Sequence, residues 1–431
     1  MQERHSICQV ILRTNIIQPV YKSSVPTEDF FIYPIYLSSF FSEHINHNQR
    51  LFCFGNSSRV MNKVKMSHIV LLTLGVFSVM VAHAQDKTKM DFETYDPPST
   101  LVVPEHKLTG ARYPFIDVHN HQWSMTKGDI DDVTKEMDKL NMAVMVNLSG
   151  RGRGSTQHLE TCLTNVKQYA PKRFIIFTNM DFSALDDEQW QSRMLRQLED
   201  DVEKGANGLK IYKSLGMDTH DSKGNRVRID DPRIDPIWEK CGALGIPVLI
   251  HAADPKQFWQ PMDENNERWL ELKTHPDRKR SDRDPAPWQQ IIDEQHNIFR
   301  KHPKTKFINA HLGWYGSDLK KLGELMVEFP NMYTEIGAVI AELGRQPRAA
   351  REFLIKYQDR VMFGKDSWVP EEYTTYFRVL ETADDYFPYH KRYHAFWRMY
   401  GLDLPDEVLK KIYYKNALKV IPNIDASVFP K

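Results

Sequence analysis

FIDVHNH, residues 115–121, is a short strand-type run that closes on two histidines, His119 and His121, one residue apart. On a strand, residues i and i+2 point the same way, so both imidazoles leave the end of the run on one side. Seven more runs of this kind follow, at Ala143–Leu148, Arg173–Thr178, Gly208–Tyr212, Pro247–Ile250, Lys306–Ala310, Met332–Ile336 and Arg360–Phe363. With Phe115–Val118 they make eight. Amphipathic stretches of helical spacing lie between them: Ile130–Leu140, Thr156–Tyr169, Asp187–Lys204, Asp235–Leu244, Trp288–Lys301, Asp318–Phe329 and Arg348–Tyr357. Several stop at Gly205, Gly245, Pro303 or Pro330, residues that end helices. Eight strand–helix alternations predict an α/β fold, a closed parallel (β/α)8 TIM barrel; an open doubly wound sheet is the alternative. No G-x-G-x-x-G follows an early strand, which counts against a dinucleotide-binding sheet. The residues from Glu371 read as helical, with Asp406–Val420 as a closing helix.

In such a barrel the strand C-termini open onto one mouth. Strand one delivers His119 and His121, strand four carries Lys210, strand five ends in His251, strand six in His311 and strand eight in Asp366. Four imidazoles and a carboxylate around one mouth suit a divalent metal: zinc first, with manganese or iron as alternatives. Lys210 reads as a carbamylated bridge between two ions, as a cation for substrate, or as a residue of the rim. Trp123, Trp314 and Trp368 follow closely on these positions and suggest an aromatic wall for a flat ligand. Arg151 and Arg153, in LSGRGRGS after strand two, are candidates to clamp a substrate carboxylate. The strand-five loop, about Ala252 to Pro287, is long enough to suggest a lid, with Phe258, Trp259 and Trp269 as contacts. Its basic run from Arg278 to Arg283 reads as a solvated face.

Composition limits the partners. Lys and Arg number 57, as do Asp and Glu, so the chain lacks the basic footprint that nucleic acid or an anionic membrane requires. Within 61–84, Lys63 and Lys65 precede an apolar core, Ile69–Val81, and the small-x-small signature Ala82-His83-Ala84. This reads as a signal peptide cut after Ala84, which predicts a secreted or periplasmic protein with no membrane anchor after cleavage. Residues 1–60 show no clean periodicity and read as a start-site overcall or a disordered segment. Residues 85–112 form a lead-in, and 113–431 a single catalytic barrel domain. Cys162 and Cys241 read as small core residues, not ligands.

The segments DVHNH, GLKIYKSLG, GIPVLIHAADP, HPKTKFINAHLGW and KYQDRVMFGKDS resemble the amidohydrolase superfamily, in its amidohydrolase-related branch of metal-dependent hydrolases and decarboxylases. The resemblance covers most of 113–422. It implies that His119, His121, His251 and Asp366 bind the metal, one ion being favoured over two. His311 is then the acid/base or polarising residue, or a ligand of a second ion. The family commonly has Thr before the strand-eight Asp; here it is Lys365, which strand periodicity turns away from the pore.

The resemblance implies a small-molecule substrate and hydrolysis of an amide or lactone, with Asp366 as base and His311 polarising the carbonyl. Non-oxidative decarboxylation of an aromatic or unsaturated acid is the alternative. A metal- or ligand-binding protein without turnover is a third reading. A homodimer is the default assembly.

Overall fold

A computed structural model describes residues 89–152, 154–282, 285–394 and 396–430. The expected signal peptide, the stretch before it and Arg153 lie outside the described residues.

The staves are β1 (Phe115–Asn120), β2 (Met142–Asn147), β3, β4 (Leu209–Ile211), β5 (Val248–Ile250), β6 (Phe307–Asn309), β7 (Met332–Glu335) and β8 (Val361–Met362). β3 comprises Phe174–Ile176 and Thr178–Asn179, either side of Phe177. Each stave pairs in parallel with the next. Phe177 joins the two parts of β3: its N–H donates to Asn147 O, and Thr178 N–H donates to Gly208 O. Hydrogen bonds also close the ring. Val118 N–H donates to Phe363 O at 3.0 Å, Asp366 N–H donates to His119 O at 2.7 Å, and Asn120 pairs with Asp366 in a parallel bridge. The fold is the expected TIM barrel.

The staves are short and almost wholly buried, as strands covered on both faces should be. The helices around them have local reasons to form. Lys127–Leu140 begins at a capping box, Thr126 with Asp129, and ends at left-handed Asn141. It buries Ile130, Val133, Met137 and Leu140, a stripe of helical period. Cys162 and Cys241 are buried free thiols, and burial pushes Cys162 up to about 11.

Two regions depart from the sequence reading. The stretch after β5 is not a plain loop: it carries short helices at Lys256–Phe258, Trp269–Thr274 and Pro276–Arg278. Phe258 is buried, and Trp259 Nε1–H donates to Ala286 O. Its basic run is tied down by Arg278 on Glu271 and Arg280 on Asp254. The tail is helical only in part. After Tyr373–Glu381 come two antiparallel strands, Phe387–Pro388 and Arg398–Met399. The closing helix, Asp406–Lys410 and Asn416–Val420, has a π-helical turn at Lys411–Lys415. Within that turn Ile412 O accepts from Phe363 N–H, tying the helix to the last stave.

Candidate metal site at the barrel mouth

His119 and His121 leave β1 together, and both Nε2 atoms face Asp366 Oδ1, at 3.3 and 3.7 Å. Asp366 reaches them from a left-handed backbone, φ 80°. His251 Nδ1 lies 3.3 Å from His311 Nε2, and the His311 ring stacks on His119 with centroids 4.8 Å apart. Lys210 is buried, not at the rim, and its Nζ donates to His119 Nε2 at 3.2 Å. His311 comes from an irregular turn: His311, Leu312 and Trp314 all have φ between 54° and 60°. Left-handed backbone costs such residues about 1–2 kcal/mol each, so the surroundings must hold the turn.

The hydrogen-bond partners fix the tautomers. His119 Nδ1 lies 2.9 Å from Glu335 Oε1, a carboxylate, so Nδ1 carries the proton. His311 Nδ1 lies 2.8 Å from the Gly337 carbonyl and must also carry its proton. His311 Nε2 is then an acceptor, and His251 Nδ1–H donates to it. A longer relay serves His121. His121 Nδ1 lies 2.8 Å from Ser149 Oγ, which lies 3.0 Å from Tyr212 Oη, itself 3.2 Å from Leu148 O. In His119 and His251 the Nε2 atom is therefore a lone pair. That of His251 is buried with no hydrogen-bond partner.

The electrostatics agree. Burial, reinforced by Lys210, holds His121 down to about 3 and His119 well below the usual imidazole range. Burial and His311 do the same to His251. Burial pushes the Asp366 carboxyl up, but His119, His311, His121 and Lys210 outweigh it and hold it well below the usual carboxylate range. Imidazole nitrogens and an ionised carboxylate thus converge beside the Lys210 ammonium, an arrangement that a divalent cation would share. A buried orphan Nε2 and this donor set fit a divalent metal.

Around this group, Trp123 lies nearly parallel to His121, at 5.9 Å and 13°, and to Tyr212, at 6.4 Å and 15°. Trp314 packs on His311 and His251 at 4.7 and 5.6 Å. Trp368 packs edge-on against Tyr373 instead of on the histidines. Arg151 is not a clamp for substrate: it is buried, and its Nε and Nη2 donate to Asp201 at 2.8 and 2.9 Å. Lys365 turns away from the site, and its ammonium bonds Ser367 and Glu372.

Sequence reasoning overlooked two carboxylates. Glu335 ends β7 and is fully buried against His119 and His311. Asp117 accepts from the backbone N–H groups of His119 and Lys365 and from Tyr373 O–H, while burial pushes it up to about 6. The signal for Glu335 was present, since MYTE is a strand ending in an acid.

Residues 116–422 match the family profile described as amidohydrolase (Amidohydro_2). The chain belongs to the amidohydrolase family. As an amidohydrolase it is a metal-dependent enzyme. No curated sequence matches it. Among solved structures it is similar to 2,6-dihydroxybenzoate decarboxylase from Rhizobium, at 13% identity and TM-score 0.46, over 72% of this chain and 98% of that one. A dihydroxybenzoic acid decarboxylase from Polaromonas sp. JS666, with bound manganese and 2-nitroresorcinol, gives 14% identity and 0.47, over 72% and 96%. 4-Oxalomesaconate hydratase from Rhodopseudomonas palustris gives 14% and 0.44, over 73% and 97%.

Proposed function

We propose that this amidohydrolase cleaves an amide or lactone bond of a small molecule with metal-activated water. The observation that carries the reading is the ionised Asp366 carboxylate facing the Nε2 atoms of His119 and His121. These three residues, with His251 through its partnerless Nε2, would hold the ion, zinc first among the candidates. When bound, such an ion acts as a Lewis acid and lowers the pKa of water toward ~7.

The chain's own residues supply the rest. Asp366 turns Oδ1 to the imidazole pair, which leaves Oδ2 to accept the proton of the attacking water. Lys210 brings a buried ammonium to the same place, where it stabilises the developing oxyanion. His311 does not suit that role in its neutral form: its N–H is committed to Gly337 O and its lone pair to His251. It orients His251 instead.

Decarboxylation of an aromatic acid is the second reading, favoured by the nearly parallel Trp123 and Tyr212 rings beside His121. It loses support from Arg151, whose guanidinium is taken by Asp201. A panel of amides, lactones and aromatic acids, scored for hydrolysed product and for carbon dioxide, separates the two. Hydrolysed product is the expected result; carbon dioxide release without it overturns the proposal. Metal content per chain is measured alongside, with one zinc per chain expected and loss of it in His121→Ala. Export behind a leader cut after Ala84 belongs to the same proposal, and the mass of the mature N-terminus tests it.

A further inference from the structure

We propose that Glu335 is the positioning residue of the metal site, setting the tautomer of His119 and the backbone of His311 while not itself ligating. The inference rests on the metal-dependent reading above. One carboxylate serves two separate strand ends. Its Oε1 accepts from the His119 ring at 2.9 Å and from the His311 backbone N–H at 2.7 Å. Its Oε2 accepts from Gly337 N–H. Gly337 in turn offers its carbonyl to His311 Nδ1–H, so Glu335, Gly337 and His311 form a closed ring of hydrogen bonds.

The chain makes room for this carboxylate. A Cβ on Gly337 or on Gly364 would collide with Glu335 Oε2, and one on Gly364 would also press on His119 Cβ at 3.1 Å. Two glycines just beyond the ends of neighbouring staves thus wall the acid in. The consequence reaches all the imidazoles on this side of the mouth. A protonated Nδ1 on His119 leaves Nε2 aimed at Asp366. The anchored left-handed turn holds His311 against His251, whose own Nε2 is thereby freed. Glu335 Oε1 lies 3.7 Å from His311 Nδ1 and 2.9 Å from His119 Nδ1. Both are the proton-bearing nitrogens, which do not ligate.

The test combines two measurements. Nitrogen-15 imidazole NMR of the metal-free wild type is expected to show His119 as the Nδ1–H tautomer. Finding His119 as Nε2–H overturns the proposal whatever the metal does. Zinc affinity by chelator competition, and the visible spectrum of the cobalt-substituted protein, are then compared between wild type and Glu335→Gln. Positioning predicts unchanged zinc stoichiometry, affinity weaker by about 10–100-fold and a shifted cobalt band. Glu335→Asp, which keeps the charge and shortens the reach, is expected to fall between them. Unchanged affinity and spectrum overturn the proposal, and so does a fall from two ions to one, which makes Glu335 a ligand. A wild type that takes up no zinc overturns the metal reading instead, while the tautomer measurement still decides on Glu335.

Discussion

Two of the buried polar clusters in this barrel are built on opposite rules. At the mouth, the Nε2 atoms of His119 and His121 face Asp366, and His251 keeps a partnerless Nε2. In the stretch after β5, Arg268 sits between Glu271 and Glu342, touches His394 and covers Trp397, charge against opposite charge. Burial lowers the Arg268 pKa, but Glu342 and Glu271 outweigh it and hold it above its ordinary value. The second cluster pairs its charges and fastens chain segments; the first sets one cation, Lys210, among several imidazoles and a carboxylate. Burial of charge alone therefore does not mark a functional site. What marks it is the sign of the groups that face each other.

The largest break in this comparison comes from Asp366→Asn. It removes the base and one of the facing acceptors, and kcat/KM is expected to fall by roughly 10²–10⁴-fold. The unfolding midpoint of the metal-free protein should stay near wild type, read by circular dichroism. Arg268→Ala should do the reverse. It strands Glu342, while Glu271 keeps Arg278 and His394, and removing one partner of a buried pair costs about 3–5 kcal/mol, read by denaturant unfolding. Zinc content per folded chain should be unchanged.

Gly364→Ala drives a methyl group into Glu335 and should cost about 1–3 kcal/mol while weakening zinc binding. Lowering the pH sharpens the contrast more gently. Burial, then Arg268, depresses His394 to about 3. Burial raises Glu271, but His394 and Arg268 outweigh it and leave it depressed. Both groups therefore bind protons more readily in the unfolded chain. Their stabilisation is complete above about pH 6.5 and declines as the pH falls, first through His394 and then, below about 4.3, through Glu271. Thermal midpoints measured from pH 7 down to 4 should fall steadily; a flat profile contradicts the assignment. The smallest effect is expected from Lys127→Met, which breaks an exposed pair with Asp131 and should leave the midpoint unresolved from wild type.

How much of this was legible beforehand differs by element. The staves announce themselves because strands buried on both faces must be short and apolar, and the strand-end position of His251 follows from PVLIH alone. Arg151 misled because an arginine between glycines looks free, and nothing local says that Asp201, fifty residues on, will take its guanidinium. Glu335 passed unnoticed because a single acid at a strand end has no periodic signature. Lys365 was placed correctly away from the pore by the two-residue period of a strand.

Sequence by itself determined the alternation of strands and helices, the side of the barrel on which the imidazoles gather, and the residue types that suit a divalent ion. Those follow from periods of 2 and 3.6 and from the chemistry of single side chains, all of which are local. Only the tertiary structure decided which partners meet each imidazole, which cations are already spent, and that the stretch after β5 is packed and carries short helices. Each of these depends on a partner tens or hundreds of residues away, and pairing across such distances is set by how the barrel closes.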